Sequence, residues 1–294
     1  MITCHAALPR LASAVSVTPS RIEFYTARDG RHLAARVWTA AERPTARIVF
    51  LHGITSHGEW YEQGAEFLAA AGFDVVFLDR RGSGLNGEQM GDIESWQTWL
   101  DDVAAYPRTN LPSFLCGISW GGKLAAAVAR RYPGLFTGVA LVCPGIYSPF
   151  MPGIVKRLAL AAPSSVRLRQ RRLRVPLRRP ELFTDTPSWR EFIARDPLAL
   201  RTITWRFAQQ DRTLTHYARE AASYIHLPTL LMLGGQDRIV DNGQTRDYFA
   251  RIAGNSKTLI EYPGAAHTLE FEPDPTRYFL DLAGWLERTA AASR

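Results

Sequence analysis

The sequence predicts an α/β protein: a mostly parallel central sheet with helices on both faces, interrupted once by a helical insertion. Three observations carry that expectation. Short apolar, β-rich runs alternate with helical stretches, the rhythm of strand–helix–strand units. The strand-like runs end in glycine-bearing loops, as "ARIVFLHG", "DVVFLDRRGSG", "SFLCGISWGG" and "GVALVCPGI" do. The rhythm then stops between about Ile146 and His226 and resumes afterwards, within a chain of 294 residues that is long enough for one domain carrying an insertion.

Residues 1–20 read as a loose N-terminal extension. The stretch "RIEFYTARDGRHLAARVW" reads as an opening hairpin with Asp29-Gly30 at its turn. Helix candidates "EWYEQGAEFLAAAGF", "SWQTWLDDVAAY" and "KLAAAVARRYPGLF" separate the next strands. The stretch of residues 146–226 is rich in arginine and proline, shows helical patterning and holds no convincing strand. "TLLMLGGQD" and "KTLIEYPGAAH" resume the sheet around "TRDYFARIAG", and "TRYFLDLAGWLERTAAA" closes the chain as an amphipathic helix. The sheet-bearing core therefore falls in two parts, residues 21–145 and 227–294, on either side of a helical insertion.

Composition excludes several classes. Hydrophobic content of 46% and charged content of 21% describe an ordinary globular protein rather than a disordered or fibrous one. No apolar run approaches the roughly 18 residues that suggest a membrane span. The opening "MITCHAALPRLASAVSVTPS" has neither a basic leading region nor a long apolar core, so a cytoplasmic location is expected. Cys4, Cys116 and Cys143 form no disulfide or zinc pattern, and the last two lie in apolar runs where burial is expected. The net charge of +7 gathers in "RLRQRRLRVPLRR", Arg167 to Arg179.

In open α/β sheets the reactive groups sit on loops leaving the carboxyl ends of strands. Ser119 occupies such a place, within "CGISWGG", a G-x-S-x-G pattern in which glycines stand where a Cβ would collide at a sharp turn. A serine hydroxyl is a weak nucleophile and needs a base, itself oriented by an acid. His267, in a loop after the last strand, is the candidate base. Asp237, at the end of the penultimate strand, is the candidate acid, and its neighbour Asp241 better resembles a helix cap. The backbone N–H groups of Ile54 and Trp120 are the expected pair for an oxyanion hole. His52 is expected to be a hydrogen-bonding residue under that loop, and His57 to be exposed or to face the pocket mouth.

The order Ser119, Asp237, His267 and the stretches "LHGITSHGEWY", "FLDRRGSGLN", "CGISWGGKLA", "LGGQDRIV" and "PGAAHTLEFE" resemble the α/β-hydrolase superfamily over roughly Arg21 to Ala291. Within it the chain is similar to monoacylglycerol-lipase-like and bacterial lysophospholipase-type serine hydrolases. The resemblance implies an α/β-hydrolase fold with a helical cap after the sixth strand. It also implies Ser119 as nucleophile, Asp237 as acid, His267 as base, and the Ile54 and Trp120 amides as oxyanion donors. Trp120, Asn86 and Thr55 depart from the usual methionine or leucine, serine and glycine at their positions.

Serine at position 119, rather than aspartate, suits acyl transfer to water. No dinucleotide fingerprint, phosphate-binding loop or metal-ligand cluster competes, so neither cofactor nor metal is implied. The expected activity is hydrolysis of a monoacyl lipid or similar single-chain ester, rising with pH as the histidine becomes neutral near pH 6–7. Phe150, Met151, Ile154, Val155, Leu158 and Leu160 are an apolar supply for an acyl tunnel. The arginines that follow are either a solvated helix face or a contact for an anionic lipid surface. A prolyl-type aminopeptidase is the enzymatic alternative, suggested by Ser119-Trp120. It would need free acids among Glu181, Asp185, Glu191, Asp196, Asp211 and Glu220 to hold an α-ammonium. A non-catalytic ligand-binding protein of the same fold is the other alternative. Nucleic acid is not an expected partner, because the arginines lack interleaved aromatics or a binding motif.

Overall fold

Eight strands form one sheet in the order β1-β2-β4-β3-β5-β6-β9-β10. They are β1 (Arg21–Thr26), β2 (His32–Trp38), β3 (Ala46–Leu51), β4 (Phe73–Leu78), β5 (Ser113–Ile118), β6 (Gly138–Val142), β9 (Thr229–Gly234) and β10 (Lys257–Tyr262). The computed structural model describes residues 21–150 and 169–293. The N-terminal extension of residues 1–20 and the tunnel candidates Met151, Ile154, Val155, Leu158 and Leu160 lie outside the described residues, as does Arg167.

β1 and β2 pair antiparallel around a turn in which Gly30 takes a φ of +84°. β2 pairs antiparallel with β4, and every later pairing in the sheet is parallel. The inner parallel strands read as largely apolar runs because both faces are covered, whereas the edge strand β10 alternates between exposed and half-buried residues. Ile48 and Phe50 of β3 point to one core with Phe73, Val75 and Phe77 of β4, under α1 (Glu62–Ala70) and the closing helix α7 (Thr276–Ala292). Val49, Leu51, Val76 and Leu78 point to the other, under α2 (Trp96–Ala105) and α3 (Trp120–Arg131). Burial of each such side chain contributes about 1.5–3 kcal/mol. Arg81, in the loop after β4, ties the first hairpin to α2: it grips Asp102 through two nitrogens at 2.9 and 2.7 Å and reaches Asp29 at 2.6 Å.

Between β6 and β9 the chain leaves the sheet. The described part of this segment holds α4 (Pro187–Arg195) and α5 (Trp205–Arg219). It also holds two short strands, β7 (Arg172–Arg174) and β8 (Thr202–Thr204), paired antiparallel. The expectation of no strand here is thus corrected. Each has three residues with one apolar centre, Leu173 or Ile203, too short to display a period of two. After β9 the chain forms α6 (Asn242–Ala250), and β10 completes the sheet at an edge.

Candidate active site

β5 delivers Ser119 into a turn that ordinary residues avoid, with φ +54° and ψ −120°. Such a conformation is strained for a residue with a Cβ and persists only where its surroundings hold it. Here the Ser119 N–H donates to the Val142 carbonyl at 2.9 Å. The turn also brings backbones too close for side chains. A Cβ at Gly121 would meet the Leu51 carbonyl oxygen at 2.0 Å, and one at Gly117 would meet that of Gly121 at 2.4 Å. The glycines around the serine thus answer to contact with β3 and with the helix itself, and α3 starts directly behind the hydroxyl.

The structure brings the three sequence candidates into one relay. Ser119 Oγ lies 2.8 Å from His267 Nε2, and His267 Nδ1 lies 2.7 Å from Asp237 Oδ2. An ionised carboxylate can only accept, so Nδ1 carries the imidazole proton and Nε2 is left to accept from the serine hydroxyl. The other Asp237 oxygen accepts the amides of Ile239 at 2.7 Å and Val240 at 2.9 Å. Burial alone would raise the Asp237 carboxyl, but the adjacent imidazole and these amides bring it below the ordinary carboxylate range. Asp241 instead caps α6, accepting the Gln244 N–H at 2.9 Å.

Gly53 approaches the serine closely: a Cβ on it would lie 3.4 Å from that of Ser119. Ile54 follows Gly53 in the loop after β3, and Trp120 follows the nucleophile. Among the described residues neither backbone N–H is engaged by another protein group. A small pocket opens beside Ser119 and His267, lined also by Ile54, Trp60, Tyr61, Ile118 and Phe183. Phe183 comes from the segment between β6 and β9 and sets its ring edge-on to His267, with centroids 6.1 Å apart.

His52 lies buried beneath the loop, as expected, with Nδ1 2.7 Å from the Gly53 carbonyl. His57, expected to be exposed or to face the pocket mouth, is also buried. Its Nε2 sits 3.0 Å from Asp196, which accepts the Trp60 indole N–H at 2.6 Å as well. The partner that draws His57 inward is remote in sequence, so nothing local to the histidine reveals it. Both described cysteines are free and buried. Among the described residues, Cys143, Asp237 and His267 place potential metal-ligand atoms within 4.8 Å of one another. The histidine and carboxylate of that group are already bonded to each other.

Two charged residues near the site escape sequence reasoning, Arg80 and Lys123, and a third, Asp211, enters it only as a possible ammonium ligand; all three are buried. A signal for Asp211 exists in the phase of α5, whose buried face carries Phe207, Ala208, Asp211, Leu214 and Ala218 at helical spacing.

The sheet order, with this constellation at the carboxyl ends of its parallel strands, makes the molecule a hydrolase of the α/β-hydrolase superfamily. The chain belongs to the serine aminopeptidase S33 family, whose model matches residues 42–274. It is 25% identical over 285 residues to a monoacylglycerol lipase of Mycolicibacterium smegmatis, covering 87% of this chain and 93% of that protein. It is 28% identical over 251 residues to the phospholipase YtpA of Bacillus subtilis, covering 81% and 94%. The fold matches the crystal structure of Paleococcus ferrophilus monoacylglycerol lipase with a TM-score of 0.78 at 24% identity, covering 88% of this chain and all of that one.

Proposed function

We propose that the protein is a serine carboxylester hydrolase acting on a monoacyl lipid or similar single-chain ester. Ser119 Oγ attacks the ester carbonyl carbon while His267 Nε2 takes the hydroxyl proton. The carbonyl oxygen becomes an alkoxide held by the Ile54 and Trp120 N–H groups. As the intermediate collapses, His267 returns the proton to the leaving alcohol and Ser119 keeps the acyl group. Water, deprotonated by His267, then releases the acid. Asp237 orients the imidazole and stabilises its charged form throughout. The observation that carries this reading is the relay of 2.8 and 2.7 Å opening onto a largely apolar pocket. The relatives named as lipases and a phospholipase support the choice of a lipid ester. The segment between β6 and β9 acts as a cap over the site, and a cytoplasmic location suits the free, buried thiols.

The aminopeptidase alternative needs an uncommitted acid in the cap, and the acids there already have partners. Asp211 is bonded to Lys123 and Trp120, Asp196 to His57 and Trp60, and Asp185 to Arg190 and Arg238. Glu181, Glu191 and Glu220 pair with Arg179, Arg195 and Arg130. Labelling with a fluorophosphonate probe, abolished in Ser119→Ala, tests the nucleophile and separates a hydrolase from a ligand-binding protein of this fold. An ester panel of graded chain length, run beside a proline naphthylamide, tests the substrate class. Faster release of proline than of fatty acid overturns the ester reading.

A further inference from the structure

We propose that Arg80 is a positioning residue for the oxyanion hole: with His52 it polarises the peptide that carries the Ile54 N–H, and the cap residue Asp211 holds this assembly in place. The proposal rests on the serine-hydrolase reading above. Arg80 lies buried just after β4, and its guanidinium reaches the loop beside the nucleophile. Nη1 donates to the Gly53 carbonyl at 3.2 Å and Nη2 to the Ile54 carbonyl at 3.0 Å. The Arg80 backbone N–H donates to His52 Nε2 at 2.9 Å. That bond leaves the ring proton on Nδ1, which donates to the same Gly53 oxygen at 2.7 Å. Burial and the charge of Arg80 hold His52 well below its ordinary pKa, so it acts as a neutral donor.

The Gly53 carbonyl and the Ile54 N–H are the two ends of one peptide plane. Donors at the oxygen draw density from the nitrogen and strengthen its N–H as a donor, by about 10–30% per bond in a hydrogen-bonded chain. One of the two donors here is a buried cation, and charge-assisted bonds are the stronger kind. The Trp120 amide is arranged alike with neutral donors, since the Ser119 oxygen accepts from Gly145 at 2.6 Å and Gly122 at 2.9 Å. The side-chain charge therefore acts on the Ile54 peptide in particular.

The guanidinium is fixed from behind. It stacks over the Trp120 ring, with Cζ 4.4 Å from the centroid. The Trp120 indole N–H donates to Asp211 Oδ1 at 2.5 Å, and Lys123 Nζ reaches the same oxygen at 2.5 Å. Burial lowers Arg80 to about 10, with Asp211 and Asp79 opposing, so it remains charged at neutral pH. The carboxylate belongs to α5 of the cap, while both cations belong to the core. The donor strength of the oxyanion hole is thereby tied to seating of the cap.

Arg80→Met, Arg80→Lys and Asp211→Asn test this, with kcat and KM measured on a soluble p-nitrophenyl ester. Melting temperature and affinity for a trifluoromethyl ketone are measured beside them. Ser119 Oγ adds to the ketone carbon, the proton passes to His267, and the resulting alkoxide occupies the oxyanion position. Removing a donor outright costs about 10²–10³ in turnover, so weakening one predicts a fall in kcat of about 10–100-fold for Arg80→Met. KM is unchanged, and ketone affinity falls by the same factor as kcat/KM. Asp211→Asn shows a smaller parallel loss. Should Arg80→Met fail to fold, Arg80→Lys decides: it keeps the charge, cannot span both carbonyls, and loses kcat and ketone affinity together. Folded variants with wild-type kcat, or with a lower melting temperature and intact ketone affinity, overturn the assignment. A wild-type protein indifferent to both ketone and fluorophosphonate overturns the hydrolase reading itself.

Discussion

Asp237 and Asp241 share one loop, and their surroundings divide their roles. Asp237 faces His267 and two backbone amides, while Asp241 spends its oxygens on the start of α6. Under the proposed mechanism Asp237→Asn removes the anion that orients the imidazole, and kcat falls by about 10⁴-fold. Asp241→Asn replaces one good helix cap with another and leaves kcat within a few-fold of wild type. Steady-state kinetics with a melting curve for each variant checks both outcomes, and a larger loss for folded Asp241→Asn would exchange the roles. Trp120→Met keeps the amide beside the nucleophile but loses the indole bond to Asp211 and the face under Arg80. A desolvated cation–π contact is worth about 2 kcal/mol, so kcat falls by at most about 30-fold and ester hydrolysis survives. Complete loss in the folded variant would show the ring to be indispensable. Ser119, Asp237 and His267 are legible in the sequence because each follows a strand, where open sheets expose their loops. Arg80 also follows a strand, but its chemistry depends on the Gly53 and Ile54 carbonyls and the Trp120 ring, which only folding assembles.

The start of α1 shows the same limit for a whole element. Glu270 stands in the turn after His267, where its sequence neighbours suggest a solvated side chain, yet it is buried against the helix. Its Oε1 accepts the N–H of Gly64, the third residue of α1, at 2.8 Å. Burial raises this carboxyl to about 8, opposed by the Gly64 bond and assisted by nearby Glu62. The folded protein therefore holds this proton more tightly than the unfolded chain does, so stability falls as pH rises from the ordinary glutamate range through about 8. Glu270→Gln keeps an acceptor for Gly64 and has no charge to expose. It should match wild type near pH 4 and exceed it increasingly up to pH 9, by about 1.4 kcal/mol for each tenfold difference in proton affinity. Denaturant melts at both pH values measure this, and an advantage that does not change with pH would refute it. The inner parallel strands, by contrast, are legible because burial on both faces leaves a largely apolar run. β7 and β8 are not, since their pairing links residues far apart in sequence and each offers a single apolar side chain.

At the scale of the molecule, polar contacts fasten the segment between β6 and β9 to the core. Buried Asp211 meets Lys123 and buried Asp196 meets His57, exposed Asp185 meets Arg238, and Arg206 reaches Asp92 in the other direction. Among the described residues no helix is long and apolar enough to cross a membrane. Among its described residues the outer surface of the segment carries arginines together with the half-exposed Glu181, Asp185, Glu191 and Glu220. Arg171, Arg172, Arg174, Arg178 and Arg179 are exposed, and Arg172 also donates to the Met90 carbonyl. The stretch expected as a solvated helix face or a lipid contact is thus in part a short strand whose alternate side chains flank Leu173. We propose that this face meets an anionic lipid surface and concentrates substrate there. The attraction is screened over about 8–10 Å at physiological salt. Hydrolysis of a monoacyl ester in vesicles containing an anionic phospholipid should therefore fall as salt rises from about 0.01 to 0.3 M, over which the screening length shortens severalfold. Hydrolysis of a neutral soluble ester should stay constant. Reversing Arg174 and Arg178 to glutamate, positions outside the catalytic relay, should reproduce the selective loss at low salt and leave the soluble reaction intact. Equal salt dependence for the two substrates, or reversed-charge variants that bind anionic vesicles like wild type, would return these arginines to the role of a solvated surface.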